Sequence, residues 1–184
     1  MKILKNVQGV IQNTSMYGNE NLHLDIVNTL SPYEVWWHEE SRTYRFRTDS
    51  GVVLAIGFDE DDLIENAESY VFSIINVNNV PSPRDSRMRD TVMLLIEQFF
   101  DMNESALLYI CESGDGKQRM RSRLFEFWFS TYRMKDQFLL MPVSIEDAEG
   151  MENFAALIIR KDNPKFVEVV SEFSNTVAMF RVKP

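Results

Sequence analysis

The sequence predicts an α+β domain: one mixed, mostly antiparallel sheet with about three helices packed on it. Two patterns carry this reading. Residues 35–77 hold β-rich runs separated by turn signals, and from residue 86 the order is helix, strand, helix, two strands, helix. Strands and helices that partly segregate give an α+β fold, and the strand between two helices calls for one parallel neighbour pair. The material for a core is present, since 184 residues suit one domain and 45% of them are hydrophobic, 12% aromatic.

Residues 1–34 read as a weakly patterned, Asn-rich N-terminal extension, and residues 35–184 as the α+β domain. Leu22, Leu24, Ile26 and Leu30 suit either a short helix or a short strand, and His23 reads as structural or exposed. In the strand at Val35 to His38, Trp36 and Trp37 should straddle the sheet, one ring on each face. Tyr44, Phe46 and Thr48 alternate with Arg45 and Arg47, which is period two. Thr48-Asp49-Ser50-Gly51 is a turn signal, and Val52 to Phe58 is β-rich, so residues 43–58 predict a hairpin. Asp59 to Asp62 lacks the order of a calcium loop and reads as a solvated loop. Tyr70 to Val77 predicts a strand.

Asp85 is a natural N-cap for a helix in which Met88, Val92, Leu95, Ile96 and Phe99 share one face, ending near 101–103. Ala106 to Cys111 is a short apolar run that fits a strand buried on both faces. After it, Asp115 with Gln118 has capping-box spacing, which starts a helix near Gly116. Met120, Leu124, Phe127, Trp128 and Thr131 fall on one face, with Phe125, Phe129 and Tyr132 as an adjacent stripe. The C-terminal half is apolar over most of its circumference, which predicts a largely buried helix crossing the sheet. Strands follow at 137–145 and 154–159, separated by an acidic loop at 146–153. Asn163-Pro164 then starts a last helix, with Phe166, Val169, Val170, Phe173, Val177 and Phe180 on one face.

Arginines crowd both central helix starts: Arg84, Arg87 and Arg89 at one, Lys117, Arg119, Arg121 and Arg123 at the other. Cations in a first turn oppose the helix dipole by about 0.3–1 kcal/mol each. Two readings follow. The arginines form ion pairs with an acidic chain, or they converge with helix N–H groups on a phosphate or carboxylate. The ligand-binding candidates are Arg87, Arg89, Asp115, Lys117, Arg119, Arg121 and Arg123. If the strands before the two helices are parallel neighbours, both starts sit at one edge of the sheet, where α/β ligands bind. Gly114-Asp115-Gly116-Lys117 is no phosphate loop, because Gln118 stands at the hydroxyl position, and Arg119 breaks a dinucleotide fingerprint.

The run Tyr109-x-Cys111-Glu112-Ser113-x-Asp115-Gly116-Lys117-Gln118-x-x-Arg121-x-Arg123-x-Phe125, followed by Trp128-Phe129, resembles an uncharacterised bacterial family known only as a domain of unknown function. Tyr44-x-Phe46 with Gly51-Val52, and Asp85-x-Arg87-x-x-Asp90-Thr91, resemble the same family, over roughly residues 40 to 180. The resemblance implies no activity.

The net charge of −9 argues against a general nucleic-acid binder. The one cysteine forms no intrachain disulfide, and Cys111 reads as a buried small hydrophobe. No apolar run approaches the ~18 residues of a membrane span, and no apolar h-region follows Lys2 and Lys5, so a cytoplasmic protein without membrane contact is expected. The two histidines, His23 and His38, stand in no catalytic motif, and no metal-ligand spacing or cofactor motif appears. The sequence therefore favours a non-enzymatic binding or interaction protein engaging an anionic small molecule or an acidic protein partner. An enzyme acting on a phosphate- or carboxylate-bearing small molecule, and a structural module such as a homodimer, remain alternatives.

Overall fold

A computed structural model of the chain describes residues 22–111, 116–146 and 150–181, with the side chains of the last two outside the description. Among these residues the order is α1 (Leu24–Leu30), β1 (Val35–His38), β2 (Thr43–Arg47), β3 (Val53–Asp61), β4 (Ser69–Asn76), α2 (Ser86–Met102), β5 (Ala106–Ile110), α3 (Gln118–Ser130), a short 3-10 turn (Lys135–Gln137), β6 (Phe138–Glu146), β7 (Glu152–Arg160) and α4 (Phe166–Arg181). The strands form one seven-stranded sheet ordered β1-β2-β3-β4-β5-β7-β6. β4 and β5 are parallel, with Ser69 opposite Ala106, and the other neighbours are antiparallel. The protein is therefore α+β with the expected single parallel pair.

Alternation decides which side chains enter the core. Tyr44, Phe46, Leu54, Ile56, Phe58, Phe72, Leu107 and Tyr109 point to one face, where α1, α2 and α3 cover them. The other face is covered by α4, whose Val169, Phe173 and Val177 pack on Leu108, Leu157 and Ile159. The tryptophans do straddle the sheet: Trp37 packs 4.9 Å from Tyr44, whereas Trp36 stays exposed. The segment that sequence leaves open between helix and strand is α1, anchored by the fully buried Val27.

Asp85 caps α2 as predicted, its carboxylate accepting from the amides of Arg87 at 2.9 Å and Met88 at 3.2 Å. All five residues of the predicted apolar face are buried. Three expectations need correction. Asp59, Glu60 and Asp61 are not a loop but the end of β3, paired with Val71, Tyr70 and Ser69. Their backbone completes the ladder although the side chains are charged, and burial raises the Asp59 and Asp61 carboxyls above their ordinary range. The last helix begins at Phe166, not at Pro164, because Asn163 instead makes a turn whose side chain accepts from the Lys165 amide at 2.8 Å.

The third correction concerns α3. It begins at Gln118 with Lys117 at the cap position and no side-chain cap. Gly116 precedes it at φ +69°, a left-handed conformation that glycine adopts without strain. Asp115, the predicted cap, lies outside the described residues. The buried side is Gln118, Ser122, Phe125 and Phe129, not the face of Met120, Leu124 and Phe127. Phe125 stacks within 4.3 Å of Tyr109 and 5.8 Å of Phe72. The helix lies on the sheet by one side and is not buried all round.

Candidate functional site

α2 and α3 each follow a strand of the parallel pair, so both arginine-rich starts lie at the C-terminal edge of β4 and β5. At that edge they diverge. Arg87 pairs with Asp49 on the β2–β3 turn, and its guanidinium sits 4.8 Å from the Tyr33 ring centroid. The Tyr33 hydroxyl donates to Asp85 at 2.6 Å. Burial pushes the Asp85 carboxyl up, but that hydroxyl and the Met88 and Arg87 amides outweigh it and hold the carboxyl below the ordinary aspartate range. Arg119 pairs instead with Glu152 on β7. Between the β2–β3 turn and β7 lie three strand spacings, about 14 Å. Arg87 and Arg119 therefore do not converge.

Arg89 takes a third direction. Its Nε and terminal nitrogen hold Asp90 at 2.8 Å, and another terminal nitrogen reaches the Thr131 hydroxyl at 3.3 Å. Thr131 caps the far end of α3 from Lys117. Arg133, a residue the sequence reading passed over, lies two residues further on and reaches Glu97 at 3.6 Å. Arg89 and Arg133 both line a cleft of about 370 Å³. Its only advance signal was a lone basic residue past a helix end, which is a common feature of helix termini.

On α3 itself, Lys117, Arg119 and Arg123 are exposed and Arg121 is half-buried. The Arg121 charge acts on Tyr109 and Cys111 beneath it. Burial pushes the Cys111 thiol up, and the Tyr109 hydroxyl and Arg121 only partly counter it. A buried thiol held protonated is a poor nucleophile. His38 Nδ1 meets the Ser41 hydroxyl at 3.0 Å, but Thr43 and Arg45 share that hydroxyl in an exposed hairpin turn. Among the described residues no group of His, Cys, Asp and Glu side chains could hold a metal, and no helix is long and apolar enough to cross a membrane.

The most distinctive surface on this side is the outer face of α3. Met120, Leu124 and Phe127 are 60%, 45% and 59% exposed. They follow one another at i, i+4 and i+7, directly opposite the buried side, and Arg119 and Arg123 run beside them.

A model for a family of unknown function (DUF6169) matches residues 84–175. No curated protein and no solved structure matches. The matched stretch contains both arginine clusters, all of α3 and the Arg89 and Arg133 side of the cleft, but not Leu30 and Pro32 on that cleft, nor Asp49 or Tyr33.

Proposed function

The chain belongs to that family of unknown function, and since membership brings no activity with it, we propose that this is a non-enzymatic interaction protein that docks an acidic protein partner onto the outer face of α3. The carrying observation is the second apolar stripe of that helix. Met120, Leu124 and Phe127 make no contribution to the core, and clustered exposed apolar side chains with a polar border mark interaction surfaces. Partner helices are commonly anchored by residues at this spacing.

The border selects the partner. Lys117, Arg119, Arg121 and Arg123 concentrate positive charge on one helix of a chain whose net charge is −9. A second copy docked through the same face would bring these arginines against one another, which is unfavourable in a two-fold interface. An anionic bilayer would attract the helix but repel the molecule as a whole. A protein surface with apolar sockets and a carboxylate rim satisfies both features.

The test places a photo-reactive residue at Leu124 in the full chain, with Val167 on the opposite side of the sheet as control. The expected product is a crosslink to a protein with an acidic surface, formed from position 124, absent from position 167, and lost when Arg119 and Arg123 are both changed to Gln. A crosslink to a second copy, to lipid or to nucleic acid overturns the reading, as does one insensitive to the arginines. Leu124→Glu should leave the free energy of unfolding within about 0.5 kcal/mol of the native chain, as for other exposed sites.

A further inference from the structure

The exposed part of α3 has an internal pattern that narrows what can lie on it. At about 100° per residue, Met120, Leu124 and Phe127 fall within roughly 60° of arc. Arg119, Arg123 and Ser130, all exposed, fill the arc on one side of them, and the half-buried Arg121 and Trp128 border the other. The exposed apolar ridge is therefore narrow. Its spacing of four and then three residues is that of the seam positions in a heptad repeat. It is also short, because Lys117 and Thr131 stand at the next seam positions on either side and neither is apolar. From Met120 to Phe127 the ridge rises about 10 Å along the helix axis.

The cations of the helix are not equivalent. Arg119 is held by Glu152. Arg121 is half-buried and its charge acts on Tyr109 and Cys111 beneath the helix. Lys117 stands at the cap position, past the end of the ridge. Arg123 is exposed and within ion-pairing distance of no carboxylate among the described residues. Glu126, three residues on, accepts the hydroxyl of the buried Ser122 at 2.9 Å instead. The one unmatched positive charge beside the ridge is thus next to Leu124, its central anchor.

Width separates the possible occupants. A sheet, or a groove between two helices, would also cover the Arg119 side of the arc and take two guanidinium groups out of water. One helix, crossing at about 20° with its axis about 8–10 Å away, meets the ridge and the residues flanking it and nothing further round.

We propose that the partner segment received by α3 is a single amphipathic helix, packed on Met120, Leu124 and Phe127 as a short two-stranded coiled coil, with a carboxylate set against Arg123. This rests on the reading that α3 docks an acidic protein, and it adds the shape of the partner and the cation that selects it.

The probe is a synthetic peptide of about three heptads, long enough to fold as a helix on binding. It carries Leu at the seam positions, Glu at the positions flanking the seam and Ala elsewhere. The flanking glutamates repel one another and keep the peptide from pairing with itself. A second peptide replaces those glutamates by lysines, and a third places a proline in the middle heptad to break the helix. Fluorescence anisotropy against the full chain reads affinity, and circular dichroism reads the helix the peptide gains. The expected result is saturable binding of the acidic peptide below about 1 mM with a gain of helix, and binding about tenfold weaker or worse for the other two. Leu124→Ala should weaken the acidic peptide about tenfold and Arg123→Gln about threefold. Arg119→Gln should leave the affinity unchanged, since that guanidinium is already engaged by Glu152. All three variants should keep the native melting curve.

The proposal is overturned if the acidic peptide does not bind, if the proline peptide binds as well as its parent, or if Leu124→Ala binds like the native chain. It also falls if Arg119→Gln weakens binding as much as Arg123→Gln, which marks a diffuse charge effect. In each of these cases a Leu124 photo-crosslink to an acidic protein would keep the docking face and discard only the helical partner; loss of that crosslink as well would discard both.

Discussion

Asp85 shows how one side chain can be read from sequence for part of its role and not for the rest. Its capping position is legible, because the residue types around a helix start are constrained by the unpaired amides there. Its hydrogen bond from Tyr33 is not, since 52 residues separate the two. Asp85→Ala should cost about 1 kcal/mol in urea unfolding, within the 0.5–2 range of cap deletions. The folded-state carboxyl lies below its ordinary value, so the charge-dependent part of this contribution is present above the unfolded aspartate pKa of about 3.9. It disappears as pH falls through the lower, folded value. The gap between native chain and variant should therefore be constant from neutral pH to about pH 5 and narrow below pH 4; a gap that widens on acidification would refute the assignment. The arginines follow the same logic. Their number at each helix start is visible in the chain, but their partners Asp49, Glu152 and Thr131 arrive from the turn after β2, from β7 and from the far end of α3. Periodicity within one helix carries no information about such partners.

At the scale of the element, α2 and α3 make an instructive pair. The α2 sequence has one strong apolar stripe, Met88, Val92, Leu95, Ile96 and Phe99, and that stripe is buried as the pattern predicts, although Met93, Leu94 and Phe100 outside it are buried as well. The α3 sequence has apolar stripes on both sides, and hydrophobicity cannot choose between them. Shape decides: Ser122 and Gln118 are small or flexible enough to let the helix approach β7, where the Gln118 amide donates to the Glu152 carbonyl at 3.2 Å. Phe125 and Phe129 then fill the space over Tyr109 and Phe138. The choice of face has measurable consequences. Phe125→Ala should destabilise the protein by about 3–5 kcal/mol, the usual cost of deleting a buried phenyl ring. Phe127→Ala, two residues on and equally apolar, should cost under about 1 kcal/mol. Equal losses in denaturant unfolding would mean that the outer stripe is covered in the molecule and would remove the basis for a docking face. The Asp59–Asp61 run teaches the complementary lesson. Its charges suggest a loop, yet β4 is long enough to pair with all three residues, and ladder hydrogen bonds outweigh side-chain preference there.

At the scale of the whole molecule, the sheet order was half legible. The β2–β3 hairpin follows from its turn, and the parallel β4–β5 pair from the helix between them. The placement of β7 between β5 and β6 has no local signal, because it is set by how the two chain halves close over a shared core. That closure leaves β6 as a nine-residue edge strand, long and largely apolar. Such an edge is a template for pairing with a second chain. Pro142 sits in its middle, opposite Ala156. The Lys161 amide donates to the Gln137 carbonyl at 2.9 Å, so the odd-numbered residues of this ladder direct their backbone groups to β7. Pro142 therefore faces outward, and its missing N–H interrupts the row of donors between Leu140 and Ser144 rather than a bond within the sheet. That geometry disfavours pairing of this edge with a second chain. Pro142→Val should restore a continuous outer row with little loss of stability. Light scattering should then show a higher, concentration-dependent mass for the variant than for the native chain under the same conditions. Pro142→Lys should not, because a charge on an open edge also discourages pairing. If the valine variant matches the native chain across the accessible range, the edge is protected by something other than Pro142.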